Sequence, residues 1–237
     1  MHVGLDMSLV SPGIAICTFS NYSAVQQQYK YLNMRHFLKK RKRNETYVNN
    51  TDINNSSPPS TVKWSFMAFS QRRSDIFCTA QDDRISIKPK QKCDDHDIAR
   101  YVYITDTIIS YINTQRSIHN ISIENINIFI EGYAFKATGS GSSFKLHELG
   151  GVLRYALYKN GILPPSIRTI YSTQWKAYNV GVKASKFDTM CHIKPILDVQ
   201  TVFGTFTTCS EKKVFNPHQD ISDAIGITLA SLFIDCT

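Results

Sequence analysis

Four acidic residues stand at the ends of predicted strands or at the start of a predicted helix, although they are spread over the whole chain. Asp6 ends a short apolar run, and Glu131 ends a second one. Asp220 and Asp223 lie three residues apart where an apolar helical pattern begins. Carboxylate oxygens are the ligands that hard divalent ions such as Mg²⁺ prefer. The pattern therefore predicts a fold that gathers strand ends and a helix start around a metal site, of the kind that acts on phosphodiesters.

Each of these residues also has an ordinary structural interpretation. Asp6 can accept backbone N–H groups in an Asx turn. Asp220 can cap a helix, and Asp223 can favour the positive end of the helix dipole. Glu131 is less ordinary, because a carboxylate that ends a buried strand requires a cation or hydrogen-bond donors. The i, i+3 spacing of Asp220 and Asp223 places both on one helix face, as a single metal site requires.

The charge balance favours a polyanionic partner. The chain has 27 Lys and Arg against 19 Asp and Glu, a formal net charge of +8. Basic side chains that neutralise phosphates release the counterions of a nucleic acid, which drives binding. A protein that is basic for unrelated reasons remains the alternative at this point.

The cysteines and the hydropathy pattern exclude several classes of protein. The six cysteines show no CxxC spacing, so neither a zinc ribbon nor a redox dithiol is predicted. No apolar run approaches the roughly 18 residues of a membrane-spanning helix, and the first residues do not have the pattern of a signal peptide. We therefore expect an intracellular protein of a reducing compartment, with no membrane partner.

The order of apolar runs predicts an α/β domain with a mixed sheet. Residues with strand character occupy five segments: 1–6, 14–19, 62–69, 126–131 and 166–171. A further extended segment is expected at 29–37. Apolar residues at helical spacing occupy 96–115, 144–160 and about 220–234, and a further helix is expected from about residue 184. Residues 173–176 are taken as the start of a basic loop, and 78–95 as a polar stretch.

A polar insert interrupts this order at about 39–60. Its composition, rich in Asn, Ser and Pro, cannot bury enough apolar surface to order itself, so a flexible segment within a single domain (1–237) is predicted. The insert opens with a run of five basic residues: Lys39, Lys40, Arg41, Lys42 and Arg43. Such a run fits a nuclear-import signal, a DNA-contacting flap or a solvated charged surface.

Taken in order, these features resemble the ribonuclease H-like nucleases. Within that superfamily the chain resembles the RuvC-type Holliday junction resolvases, above all those of phages and large DNA viruses. Residues 4–15 resemble the first hairpin of that family, 131–133 and 146–151 its acidic strand and dimer helix, and 220–226 its final acidic motif. Residues 175–186 resemble its basic loop, although only one of the two usual glycines is present, at Gly181.

The resemblance implies a ribonuclease H-like mixed five-stranded sheet flanked by helices, and it assigns roles to individual residues. Asp6, Glu131, Asp220 and Asp223 would be the catalytic metal ligands, for two Mg²⁺ ions that Mn²⁺ can replace. Lys186 would stabilise the charge that develops on the phosphate. The expected DNA contacts are Lys176, Lys183 and Lys186, the basic run at 39–43, and the aromatic residues Tyr133 and Phe135.

For Tyr133 and Phe135, stacking on unpaired bases competes with packing under the Gly/Ser-rich loop that follows them. Gly150 and Gly151 would allow the close approach of a second copy in a homodimer.

The activity that the resemblance implies is structure-selective cleavage of four-way DNA junctions. Paired nicks would leave 5′-phosphate and 3′-hydroxyl ends. Two alternatives stay open: a ribonuclease H acting on RNA–DNA hybrids, and an inactive junction-binding architectural protein. Either way the protein would work where DNA is replicated or recombined, whether in a nucleus, an organelle or a viral replication site.

Overall fold

The computed structural model describes residues 1–9, 12–26, 62–70, 85–89, 97–132, 141–181, 184–185, 188–189 and 218–234. The predicted insert at 39–60, with its basic run, lies outside them. In the described part of the chain, no helix is long and apolar enough to cross a membrane.

One mixed sheet organises the described residues. Its six strands are β1 (His2–Asp6), β2 (Gly13–Phe19), β3 (Val62–Ser70), β4 (Ile85–Pro89), β5 (Asn127–Gly132) and β6 (Ile167–Tyr171). Their order across the sheet is β4-β3-β2-β1-β5-β6. The β1–β2 and β2–β3 pairs are antiparallel, whereas β3–β4, β1–β5 and β5–β6 are parallel.

Four helices with described bounds cover the two faces of this sheet. They are α1 (Asp97–Ile118), α2 (Gly141–Lys159), α3 (Ser172–Asn179) and α4 (His218–Ile234). A short helical segment also occupies 22–26, and single 3₁₀ turns precede β5 and β6.

The alternation of side chains along β1 decides which helix meets which face, because successive residues of a strand point to opposite sides. Val3 and Leu5 pack in one core with residues of α1 and α2. His2 and Gly4 point the other way and meet α4, where the imidazole Nδ1 of His2 lies 2.8 Å from Ser231 Oγ. Asp6 shares this second parity, so the sequence alternation alone directs it towards α4.

The predicted α/β class with a mixed sheet and flanking helices is confirmed, and each of the five predicted strands is present. The further extended segment expected at 29–37 lies outside the described residues. Two differences stand out. A sixth strand, β4, extends the sheet beyond β3, in the stretch that the sequence analysis had taken only as polar. The start of the predicted basic loop is instead the helix α3, which packs on α4 through Trp175, buried with Ile227 and Ala230.

Candidate active site

Asp6 is the last residue of β1, and Glu131 is the last but one of the neighbouring parallel strand β5. The β1–β5 register pairs Leu5 with Ile130, so the two carboxylates follow one residue later at the same edge of the sheet. Both have the parity that faces α4, since Phe129, two residues before Glu131, packs against that helix. Asp6 is 8% exposed, and Glu131 is half-buried.

Two glycines allow α4 to lie directly on β1 and β2. A Cβ built on Gly4 would overlap the Thr228 side chain and the Ala224 carbonyl. A Cβ built on Gly13, the strand partner of Asp6, would overlap the backbone carbonyl of Asp220. The first turn of α4 therefore sits against the end of β1, which brings Asp220 close to Asp6.

The pKa of the Asp6 carboxyl reflects the other acidic side chains that lie near it. Burial raises the pKa of the Asp6 carboxyl well above its ordinary range, and the negative charges of Glu131, Asp223 and Asp220 raise it further. A hydrogen bond between the Asp6 and Glu131 carboxyls acts in the same direction. All four predicted acidic residues thus interact at one place, where ionising every one of them requires a compensating cation.

The carboxylates of Glu131 and Asp223 each have an uncharged hydrogen-bond donor nearby. The indole Nε1 of Trp175 donates a hydrogen bond of 3.0 Å to Glu131 Oε1. On α4, the amide Nε2 of Gln219 lies 3.4 Å from Asp223 Oδ2. Asp220 is 4% exposed in the first turn of α4, where the N-terminal end of the helix dipole favours its negative charge.

The donor set fits Mg²⁺ or Mn²⁺. Within the described ranges it consists of four carboxylates, which is the chemistry that hard divalent cations select. Among the described residues, no three His, Cys, Asp or Glu side chains are already arranged around a common ion position. The carboxylates are adjacent, and a cation bound among them would offset the mutual repulsion that raises the pKa of Asp6.

Of the predicted DNA contacts, only Lys176 falls within the described residues. It is half-buried on α3, with its ammonium 5.3 Å from the centre of the Trp175 ring. The others remain predictions because they lie outside the described ranges: Lys183, Lys186, Tyr133, Phe135, Lys39, Lys40, Arg41, Lys42 and Arg43.

The predicted dimer residues lie on α2, away from the four carboxylates. Gly150 is buried, whereas Gly151 is exposed and a Cβ there would meet no atom of the chain within 4 Å. The exposed face around Gly151 carries Phe144 (73% exposed), Tyr155 (64%) and Tyr158 (56%), at helical spacing. We call these four residues the aromatic stripe. It lies opposite the buried face of α2, formed by Leu149, Leu153 and Leu157.

Sequence analysis missed three residues around the carboxylates. Trp175 falls within the predicted basic loop at 175–186 and Gly13 within the predicted hairpin at 4–15, but neither was predicted to contact α4. Gln219 was not predicted to lie in the site. The alternation that directs Asp6 towards α4 also predicts that Glu131 faces that helix, but no local signal in the sequence marks Trp175 as its partner.

Solved structures with a similar fold were found, whereas no family model and no curated protein sequence matches this chain. The Thermus thermophilus RuvC structure aligns with 99% of this chain and 95% of its own, at 10% identity and a TM-score of 0.50. The alignment with the structure of T. thermophilus RuvC in complex with Holliday junction substrate covers 99% of this chain and 93% of the RuvC chain, at 10% identity and a TM-score of 0.52. The fold of this chain is therefore RuvC-like, within the ribonuclease H-like class, as predicted.

Proposed function

We propose that this protein is a Mg²⁺-dependent endonuclease that resolves four-way DNA junctions. The observation that carries the proposal is the interaction of Asp6 with Glu131, Asp223 and Asp220 across a RuvC-like fold. One solved structure with that fold is a complex with Holliday junction substrate. The proposal treats 1–237 as one nuclease domain with an insert at 39–60, acting where DNA is replicated or recombined.

Different residues of the chain would have different roles in phosphodiester hydrolysis. Asp6 and Glu131 from the sheet, with Asp220 and Asp223 from α4, would hold the divalent ions. Bound there, Mg²⁺ supplies positive charge that polarises the scissile phosphate and lowers the pKa of water. Lys186 would stabilise charge that develops on the phosphate, and Lys176, beside the site, would contribute affinity for the backbone.

One experiment tests the activity and separates it from its two alternatives. Purified protein is incubated with a four-way junction, a linear duplex and an RNA–DNA hybrid, each with Mg²⁺ and with EDTA. We expect cleavage of the junction alone, and only with Mg²⁺. Preferential cleavage of the hybrid would instead indicate a ribonuclease H. Tight junction binding without cleavage in either Mg²⁺ or Mn²⁺ would indicate an architectural protein.

We infer that a homodimer cuts the junction, because a four-way junction presents two equivalent scissile phosphates and a two-fold dimer presents two equivalent sites. The aromatic stripe supports α2 as the contact. Its three exposed aromatic rings surround a glycine at which the chain itself leaves space. Aromatic side chains of this kind are enriched in protein interfaces.

Replacing Gly151 with Leu is therefore expected to prevent dimer formation while preserving the fold. The leucine would project from α2 on the side opposite its buried leucines, so the core is unchanged. Sedimentation velocity should show a monomer in place of the wild-type dimer. On a cruciform plasmid, the variant should give nicked rather than linear product.

The matched control adds the same side chain to an exposed helix position outside the stripe, as Ser117→Leu on α1. This variant should sediment and linearise the plasmid like the wild type. The dimer proposal is wrong if the wild type is monomeric and still linearises the plasmid in one binding event.

A further inference from the structure

Trp175 connects two of the three elements that carry the candidate metal ligands, namely β5 and α4. Its ring is almost fully buried, and its Nε1 donates to Glu131 Oε1 at 3.0 Å. The other edge of the ring lies over α4, where a Cβ on Gly226 would come within 2.7 Å of Trp175 Cζ3. Gly226 is three residues after Asp223, so one indole touches β5 at Glu131 and α4 one turn from Asp223.

A second contact from the same helix fixes this arrangement. Asn179, one turn after Trp175 on α3, donates from Nδ2 to the backbone carbonyl of Gly226 at 2.6 Å. Trp175 and Asn179 are both buried, so water competes little with the contact that each of them makes. Helix α3 is thus held to α4 at Gly226 while its tryptophan reaches Glu131.

We propose that Trp175 is a positioning residue for the metal site, acting through Glu131. This inference rests on the proposed metal-dependent function. The indole N–H donates to Oε1, which restrains the rotation of the carboxylate and so fixes the direction in which its oxygens face the other acidic side chains. It also sets the separation between Glu131 and α4. Hydrogen bonds to the ligands of a metal orient them in this way in many metal sites.

The alternative is that Trp175 only fills space between β5 and α4. A buried tryptophan does contribute much apolar contact, and its N–H needs an acceptor wherever it lies. The two roles can be separated by removing the indole N–H while keeping most of the aromatic volume. Cation affinity should then change only if the hydrogen bond positions Glu131.

Trp175→Phe makes that change. Affinity for Mn²⁺, measured from the electron paramagnetic resonance signal of the free ion, is expected to fall about 10- to 100-fold, the usual cost of losing a partner of a metal ligand. Circular dichroism should show that the fold is retained. Trp64→Phe is the matched control, because Trp64 is a buried tryptophan on β3, three strands from Glu131 in the sheet. Its Mn²⁺ affinity should equal that of the wild type.

The control variant also provides an independent measurement. The chain has two tryptophans, so Trp64→Phe leaves Trp175 as the only one. Titration with Mg²⁺, which is diamagnetic, should then shift the Trp175 emission saturably as a cation binds next to the carboxylate that accepts its N–H. The half-saturating concentration should match the one obtained from the Mg²⁺-dependent rise in thermal stability.

Unchanged Mn²⁺ affinity in a folded Trp175→Phe variant would overturn the proposal. If that variant does not fold, a Trp175 emission that Mg²⁺ leaves unaltered in Trp64→Phe would overturn it instead. These outcomes are distinct from failure of the proposed function. Failure of the wild type to bind Mn²⁺ would remove the metal site and this inference with it. Metal binding without junction cleavage would leave the role of Trp175 intact.

Discussion

Asp6→Asn is expected to abolish junction cleavage while leaving junction binding nearly intact. The amide keeps the size of the side chain but removes the charge through which Asp6 would share a cation with the other three carboxylates. The rate at saturating DNA should fall by at least about 10³-fold, as for other indispensable catalytic carboxylates. Binding should persist, because Lys and Arg supply most of the affinity for phosphates. Glu131→Gln and Asp223→Asn should behave alike.

The same variant is expected to be more stable than the wild type when no divalent ion is present. The pKa of Asp6 is higher in the folded than in the unfolded protein. The unfolded state therefore releases this proton first as the pH rises above about 4, and the folded wild type loses stability towards neutral pH. Asparagine has no proton to lose. In EDTA, the advantage of Asp6→Asn in unfolding free energy should grow between about pH 4 and pH 8.

Thermal denaturation with and without Mg²⁺ completes this test. A cation that binds the folded state raises the melting temperature by mass action, so Mg²⁺ should stabilise the wild type but not Asp6→Asn. Cleavage by Asp6→Asn near the wild-type rate would contradict the assigned site. So would an unfolding free energy whose pH dependence is the same in both proteins.

Much of this site follows from patterns that depend only on neighbouring residues. The period-2 alternation of β1 places Asp6 on the side of His2 and Gly4, and the i, i+3 spacing places Asp220 beside Asp223 on α4. The five predicted strands and the helices α1, α2 and α4 rest on the same short-range periodicities. These features are predictable because each depends on the local repeat of one element.

The rest depends on contacts between elements far apart in the sequence. Trp175 and Glu131 are 44 residues apart, and nothing in the local sequence of α3 indicates that its indole donates to β5. Strand β4 was missed for a related reason. Its sequence, Ile85–Pro89, is short and flanked by polar residues, and its pairing with β3 supplies the order that its own composition does not.

Gly13→Ala is expected to disrupt both the fold and the site, although it adds a single methyl group. That methyl would overlap the backbone carbonyl of Asp220, and a backbone atom cannot move aside as the end of a flexible side chain can. The first turn of α4 must shift, which displaces Asp220 from Asp6. We expect the unfolding free energy to fall by about 1–3 kcal/mol, the usual cost of overpacking, and Mn²⁺ affinity to fall with it.

Two matched substitutions separate the loss of stability from the loss of the site. Gly4→Ala places a methyl against Thr228 and the Ala224 carbonyl, at least one turn after Asp220, so it should lower stability similarly but displace Asp220 from Asp6 less and lower Mn²⁺ affinity less. In Gly151→Ala the methyl meets no atom of the chain within 4 Å, so stability should stay or rise when measured on the monomer. If Gly13→Ala kept wild-type stability and Mn²⁺ affinity, α4 would not depend on this glycine to bring Asp220 to Asp6. If Gly4→Ala lost as much Mn²⁺ affinity as Gly13→Ala, the site would depend on the position of the whole helix α4 and not of its first turn alone.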